Sequence, residues 1–416
     1  MSGKIRKGKK ALCLMLAAAV VITGSFMGIG KFSTYKRSIN IADTARPVSG
    51  EADVSGNGDR LKIHAKAAVL IDGTSGRVLY QKNPYKHLPP ASVTKVMTLL
   101  LIMEACSSGR ISLKDKVTVS ERAAGMGGSQ MYMEPGEQHT VRELLKGVIM
   151  ASANDGCVAL AEYVSGSVED FVDGMNARAE NMGLKNSHFV NTNGLPVADH
   201  YSCAYDIGMI SRELIKYDEA RKWFATWQED IEVGLPGKQH KFTLTNTNKL
   251  IKSYNGATGI KTGFTQDAGY CLSGAATRNG TSMIGVVLGC KTSKIRFKEM
   301  SRLLDHGFAN YETVRVADAG SRVRSVAVSK GEVPELDAVP PEDIGVTVRK
   351  GRSDSIKKKV HVRHEIEAPV RKGDVLGSIT VWDGSRRLGK YDLKADRDVA
   401  KAGFAVTYIR MIKKLA

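Results

Sequence analysis

From residue 67 onward, apolar runs alternate with turn residues, and the period of each run predicts its element. Ala67-Ala68-Val69-Leu70-Ile71-Asp72 and Arg77-Val78-Leu79-Tyr80 read as two short strands about Gly73-Thr74-Ser75-Gly76. After Pro89-Pro90, residues 92–104 are apolar on nearly every helical face, which predicts a helix through a domain centre. Helical spacing dominates 141–149, 155–164, 168–182 and 204–214. Strand patterns return at 259–264, 270–277 and 282–288; the last two are joined by Asn279-Gly280, a hairpin signal. A helix over 294–308 closes the series. Strands, then helices, then strands predict one α/β unit on an antiparallel sheet.

Beyond about residue 315 the pattern changes. Residues 322–328, 344–348, 358–364 and 375–382 alternate or are β-branched, with glycine-rich turns between them, which predicts a separate small all-β domain. At the end of the chain Phe404, Tyr408, Met411, Ile412 and Leu415 share one helical face, with Arg410, Lys413 and Lys414 beside them. Two readings stand for this segment: an amphipathic membrane-associating helix, or a helix docked on the protein's own β-domain. Residues 31–60 have no periodicity and read as a linker. Residues 1–30 combine a basic start (Lys4, Arg6, Lys7, Lys9, Lys10) with an uncharged run from Ala11 to Gly30, interrupted only by Thr23 and Ser25. That run is on the border between a cleaved signal peptide and an uncleaved anchor, and predicts export in either case.

Charge sharpens this division. The chain of 416 residues carries a net charge of +18. Residues 1–10 hold +5 and residues 321–416 hold +8, whereas 38–320 hold only +2. Basic ends about a nearly neutral middle suit an anionic membrane or wall surface and argue against a nucleic-acid groove. Past Cys13 there are five cysteines and no C-x-x-C, which argues against a disulfide framework or a zinc site; no metal and no cofactor is expected. A Cys271–Cys290 disulfide across the hairpin is the pairing that the spacing allows.

Three short motifs carry the candidate chemistry: Ser92-Val93-Thr94-Lys95, Ser152-Ala153-Asn154 and Lys261-Thr262-Gly263. Singly they are weak. Ser33 and Ser355 also begin S-x-x-K, and Ser38 and Ser253 also begin S-x-N. Context separates them, because only Ser92 falls at the first turn of a buried helix, where residues three apart share a face. There Lys95 meets the Ser92 hydroxyl, and burial lowers its pKa so that neutral amine exists to take a proton. Ser152 and Asn154 fall in a break between helices, where a second hydroxyl can relay a proton and an amide can grip a peptide bond. On a strand expected to line the same cleft, Lys261 and Thr262 can read a carboxylate, and Gly263 lets a substrate backbone approach.

In this order, with Gly127-Gly128-Ser129-Gln130, Glu134-Pro135-Gly136-Glu137, Asn193-Gly194-Leu195-Pro196, His200-Tyr201-Ser202 and Val370-Arg371-Lys372-Gly373-Asp374, the motifs make roughly residues 65–400 resemble the low-molecular-mass penicillin-binding proteins that are serine-type D-alanyl-D-alanine carboxypeptidases. Cys203 departs from the family, which more often has a hydroxyl residue there. The resemblance implies a penicillin-binding/β-lactamase-like transpeptidase domain, an α/β (α+β) fold with an antiparallel sheet flanked by helices, over 61–312. It implies a small all-β C-terminal domain over 313–400, before the possible membrane helix of 401–416. It also implies Ser92 as nucleophile, Lys95 as proton acceptor, Ser152 as relay, and Asn154, Lys261, Thr262 and Gly263 as substrate contacts. The backbone amides of Ser92 and Phe264 would form the oxyanion hole. Peptidoglycan stem peptides are the implied substrates and β-lactam antibiotics the implied covalent inhibitors. Two rivals remain, a class A-like β-lactamase and a catalytically idle penicillin sensor or wall-binding scaffold. The missing E-x-x-L-N element speaks against the first and the complete Ser92, Lys95, Ser152 and Lys261 set against the second.

Overall fold

The apolar runs at the two ends of the catalytic region form one sheet. The computed structural model describes residues 61–404, so the export segment, the linker and the terminal amphipathic face (apart from its first residues) lie outside the described residues. Strands β1 (Ala67–Asp72), β2 (Val78–Lys82), β3 (Ala257–Thr265), β4 (Gly269–Arg278) and β5 (Thr281–Cys290) lie in the order β2-β1-β5-β4-β3, every pair antiparallel. Asn279 and Gly280 both take positive φ, as the two-residue hairpin turn requires.

Both faces of this sheet are covered, which is why its strands read as nearly unbroken apolar runs. Val69 and Ile71 of β1 pack into the larger core with Ile284, Val286 and Leu288. Their neighbours Ala68 and Leu70 face a second core with Leu272, Met283, Met300 and Leu303. Helices α1 (Lys95–Ser107), α2 (Asn154–Ser165), α3 (Val168–Asn181) and α4 (Ala204–Leu214) supply the first layer, and α5 (Ser293–Asn310) supplies the second. In α1 Leu99, Leu100 and Ile102 are fully enclosed, so Leu99→Ala would cost about 2–5 kcal/mol.

The all-β region starts directly after α5. Strands β6 (Tyr311–Ala317), β7 (Arg324–Ser329), β8 (Glu335–Val339), β9 (Ile344–Arg349), β10 (Ile356–Val362), β11 (Glu365–Glu367), β12 (Val375–Asp383) and β13 (Arg386–Ala395) form a β6-β9 ribbon and a six-stranded sheet, β10-β12-β13-β8-β7-β11. It has its own core around Val326, Leu336, Leu376, Ile379 and Leu393. A buried bond ties it to the first sheet: Thr347 Oγ1 donates to Asp72 Oδ1 at 2.7 Å.

Two local expectations are corrected, and the disulfide that the spacing left open is not formed. The helix expected from residue 92 begins as a 3-10 turn, Ala91–Thr94, and becomes α-helical at Lys95. The helix expected over 141–149 is α-helical only to Lys146; Gly147–Ala151 then form a π turn that ends on Ser152 in the left-handed conformation (φ 64, ψ 32). Cys271 and Cys290 are free thiols, both buried in apolar surroundings. A buried cysteine there packs as a small hydrophobe.

Candidate functional site

Ser92 lies in the 3-10 turn, where residues three apart eclipse each other. Its Oγ is therefore 3.0 Å from Lys95 Nζ. Lys95 Nζ also donates to Asn154 Oδ1 at 2.7 Å and to the Asn193 carbonyl at 3.0 Å. The orientation of the Asn154 amide is fixed, because its Nδ2 donates to the Gly127 carbonyl at 2.6 Å. Two of the three neighbours of Lys95 are thus acceptors only. A neutral amine, with two N–H groups and one lone pair, satisfies both and leaves the lone pair toward the Ser92 hydroxyl. The side chain is fully buried, and burial pulls its pKa down to about 8, against smaller raising effects of Cys157 and Asp155.

Lys261 shares this dry environment. Its exposure is 1%, its Nζ is 3.2 Å from the Thr262 carbonyl, and its pKa falls well below that of an ordinary lysine, first through burial and then through the Lys95 charge. Thr262 Oγ1 is 2.7 Å from Thr247 Oγ1. A Cβ on Gly263 would stand 2.9 Å from the Pro90 carbonyl oxygen and 3.0 Å from Ser92 N. The β3 strand therefore lies directly against the Ser92 turn, an approach that only glycine permits. Phe264 is half-exposed and stacks on Tyr270 with centroids 4.3 Å apart.

Ser152 is 5% exposed at the end of the π turn, and its hydroxyl makes no hydrogen bond among the described residues. Asn154 follows as the first residue of α2 and keeps one Nδ2 hydrogen for a ligand. Of the predicted site residues, Ser92, Lys95 and Asn154 are joined by direct bonds; the Lys95 charge acts on Lys261, and Gly263 abuts the Ser92 amide.

Four supports of this cleft had no role assigned from the sequence: Asn193, Gly194, Arg296 and His200. Asn193 offers its carbonyl to Lys95, and Gly194 (φ +83) lets the chain pass Ala91, whose carbonyl oxygen a Cβ would meet at 1.9 Å. The string Asn193-Gly194 was the available signal. Buried Arg296 of α5 donates to the carbonyls of Gly263 and Cys271 at 3.1 and 3.2 Å, and nothing in its local sequence marks it. His200 accepts the Val190 N–H on Nδ1 at 3.0 Å and faces Thr94 Oγ1 through Nε2 at 2.8 Å. Burial lowers its pKa to about 4, so the neutral ring braces the 3-10 turn.

A five-stranded antiparallel sheet between two helical layers, with these three motifs at one end of a buried helix, defines the penicillin-binding/β-lactamase-like class of fold. Residues 53–292 match the family model described as D-alanyl-D-alanine carboxypeptidase, and residues 311–401 match that of the penicillin-binding protein 5 C-terminal domain. The chain belongs to this family of serine D-alanyl-D-alanine carboxypeptidases, which are hydrolases. Its relatives include the D-alanyl-D-alanine carboxypeptidase DacF of Bacillus subtilis, 42% identical over 83% of this chain and 88% of that protein. DacC of Escherichia coli is 34% identical over 82% of this chain and 86% of its own. Among solved structures, penicillin-binding protein 5 of Haemophilus influenzae aligns with a TM-score of 0.64 at 32% identity, covering 82% of this chain and 98% of that one.

Proposed function

We propose that the protein removes the terminal D-alanine from peptidoglycan pentapeptide stems through an acyl ester on Ser92, on the outer side of the cytoplasmic membrane, and that β-lactams acylate the same hydroxyl. The observation that carries this reading is the hydrogen-bond pattern of Lys95: its Nζ is 3.0 Å from Ser92 Oγ and its other two partners only accept, so the deprotonated amine can turn its lone pair to the Ser92 hydroxyl.

In this mechanism Ser92 Oγ attacks the carbonyl carbon of the penultimate D-alanine while its proton passes to Lys95. The backbone N–H groups of Ser92 and Phe264 hold the oxyanion of the tetrahedral intermediate. Collapse breaks the peptide C–N bond. The leaving nitrogen takes the proton from Lys95 through the Ser152 hydroxyl, D-alanine departs, and an ester remains on Ser92. Water then attacks the ester, gives its proton to Lys95, and collapse returns the proton to Ser92 Oγ as the shortened peptide leaves. In a β-lactam the broken C–N bond belongs to the ring, so the amine stays tethered to the acyl group.

Lys261, Thr262 and Gly263 are the contacts for the terminal carboxylate, with Asn154 on the peptide. A lysine with a pKa lowered by burial regains its proton when an anion arrives beside it, so carboxylate binding restores the charge that reads it. The experiment is peptide mapping by mass spectrometry after penicillin treatment. One adduct on the peptide that contains Ser92, absent from Ser92→Ala, supports the reading; an adduct on another residue refutes it.

A further inference from the structure

The C-terminal sheet carries charge that the proposed hydrolysis does not use. In β10, Lys357 pairs with Trp382 of β12 and Lys359 with Thr380. Across β12, Trp382 pairs with Arg387 of β13 and Thr380 with Lys390. Cross-strand partners share a face, so Lys357, Lys359, Arg387 and Lys390 stand on one side of the sheet. That side faces solvent: all four are exposed, while Ile379, Val381 and Leu393 fill the domain core on the opposite side. None of the four makes an ion pair with a described residue. One exposed anion, Asp392, shares this face, a row further along opposite Ser378.

The arrangement is two basic rails along a neutral floor. Lys357 and Lys359, two residues apart on their strand, are about 7 Å apart. Arg387 and Lys390 are three residues apart about a bulge but face the same pair, Trp382 and Thr380. Rails on either side of one intervening strand are roughly 10 Å apart. The floor between them, Thr380 and Trp382, offers a hydroxyl and a half-buried ring. Lysines on an outermost strand also serve to keep edges from pairing with other chains, and β10 is such a strand. Arg387 and Lys390 are on β13, whose pairing with β8 reaches only Lys394 and Ala395, so its outer edge is open beside them as well. Edge protection accounts for charge on each strand, but not for both rails standing on one face about Thr380 and Trp382.

We propose that this face is a docking surface for a linear polyanion with repeating phosphodiester groups. The spacing lets successive phosphates lie along β12 with cations on either side, and the Arg387 guanidinium suits a phosphate in particular. A bilayer is the poorer occupant. Val375, at one end of β12, is the only large apolar side chain of the described face that is exposed, so almost nothing would enter the lipid. The chain also leaves the domain along the other sheet edge, where Val399 bridges to Val370 and Lys401 to Gly331, next to β11 and β7.

The test uses the full chain in a mild non-ionic detergent with fluorescent synthetic poly(glycerol phosphate), read by anisotropy at low and at high salt. Binding that weakens with salt is expected. Reversing Lys357, Lys359, Arg387 and Lys390 to Glu should lower affinity tenfold or more, and neutralising them to Gln should give an intermediate loss. Reversing four exposed lysines of the other domain, Lys114, Lys185, Lys238 and Lys298, should change it less than threefold. Release of D-alanine should persist in every variant, and a circular-dichroism spectrum and unfolding transition like the parent's should show that the C-terminal sheet folds in each. Equal losses in the two reversal variants, or no polymer binding by the parent chain, would overturn the proposal. So would a sheet-face reversal that spares polymer binding but abolishes binding to phosphatidylglycerol vesicles, since the occupant would then be a membrane.

Discussion

Lys95 and Lys261 are enclosed between the helical layer and the sheet, whereas Lys357, Lys359 and Lys390 stand in solvent on the C-terminal sheet. The side chain is the same and the chemistry differs. Removal from water costs the charged form most, so the enclosed pair loses basicity and Lys95 has a neutral fraction near neutral pH. The exposed lysines stand in water, touch no reacting group and act only as a field. Position in the fold, set by apolar residues on every face of α1 and by the close approach at Gly263, decides which role a lysine takes.

The comparison breaks most severely if the enclosed lysine can be replaced by a permanent cation. Lys95→Arg keeps charge but cannot give up a proton at any working pH. D-Alanine release should fall about 10²- to 10⁴-fold, as for loss of a general base; turnover near that of the parent would remove Lys95 from the proposed mechanism.

His200 extends the argument to acid stability. Its pKa is about 4 in the folded chain against 6.5 unfolded, so between these values the unfolded state binds the proton and the folded state does not. Stability should therefore fall as pH drops from 6.5 toward 4, by roughly 3 kcal/mol at about 1.4 kcal/mol per unit. Chemical denaturation across that range should show the slope in the parent and lose it in His200→Gln.

Substrate charge tests Lys261 directly. Amidating the peptide's terminal carboxylate should cost roughly 1.5–3 kcal/mol, or about 10- to 100-fold in kcat/KM. Equal turnover of acid and amide would mean that the site reads something else. The smallest effect belongs to the exposed lysines. Lys359→Met should leave D-alanine release within about twofold of the parent, as surface substitutions usually do.

Much of this contrast was legible in the chain. The apolar run after Pro89-Pro90 marked the helix that follows the proposed nucleophile, and Asn279-Gly280 marked the central hairpin, because each is set by local sequence. The 3-10 turn at Ser92 and the π turn before Ser152 were not legible, since their residues continue the helical pattern and tertiary packing alone changes the winding. Strand β13 was missed because Arg387, Lys390, Asp392 and Lys394 give it a polar face with little apolar signal. Arg296 was missed for a different reason: its partners Gly263 and Cys271 lie 33 and 25 residues away, and only the fold brings them together.

The central claim is that a neutral, buried Lys95 takes the proton from Ser92. The most direct measurement is the second-order rate of Ser92 acylation by penicillin as a function of pH. Deprotonation of Lys95 generates the base, so the rate should rise with pH to a plateau with a midpoint near 8, and Lys95→Arg should lose that rise along with the rate. A midpoint near the ordinary lysine value of about 10.4, or a flat profile in an enzyme still acylated at Ser92, would contradict the account.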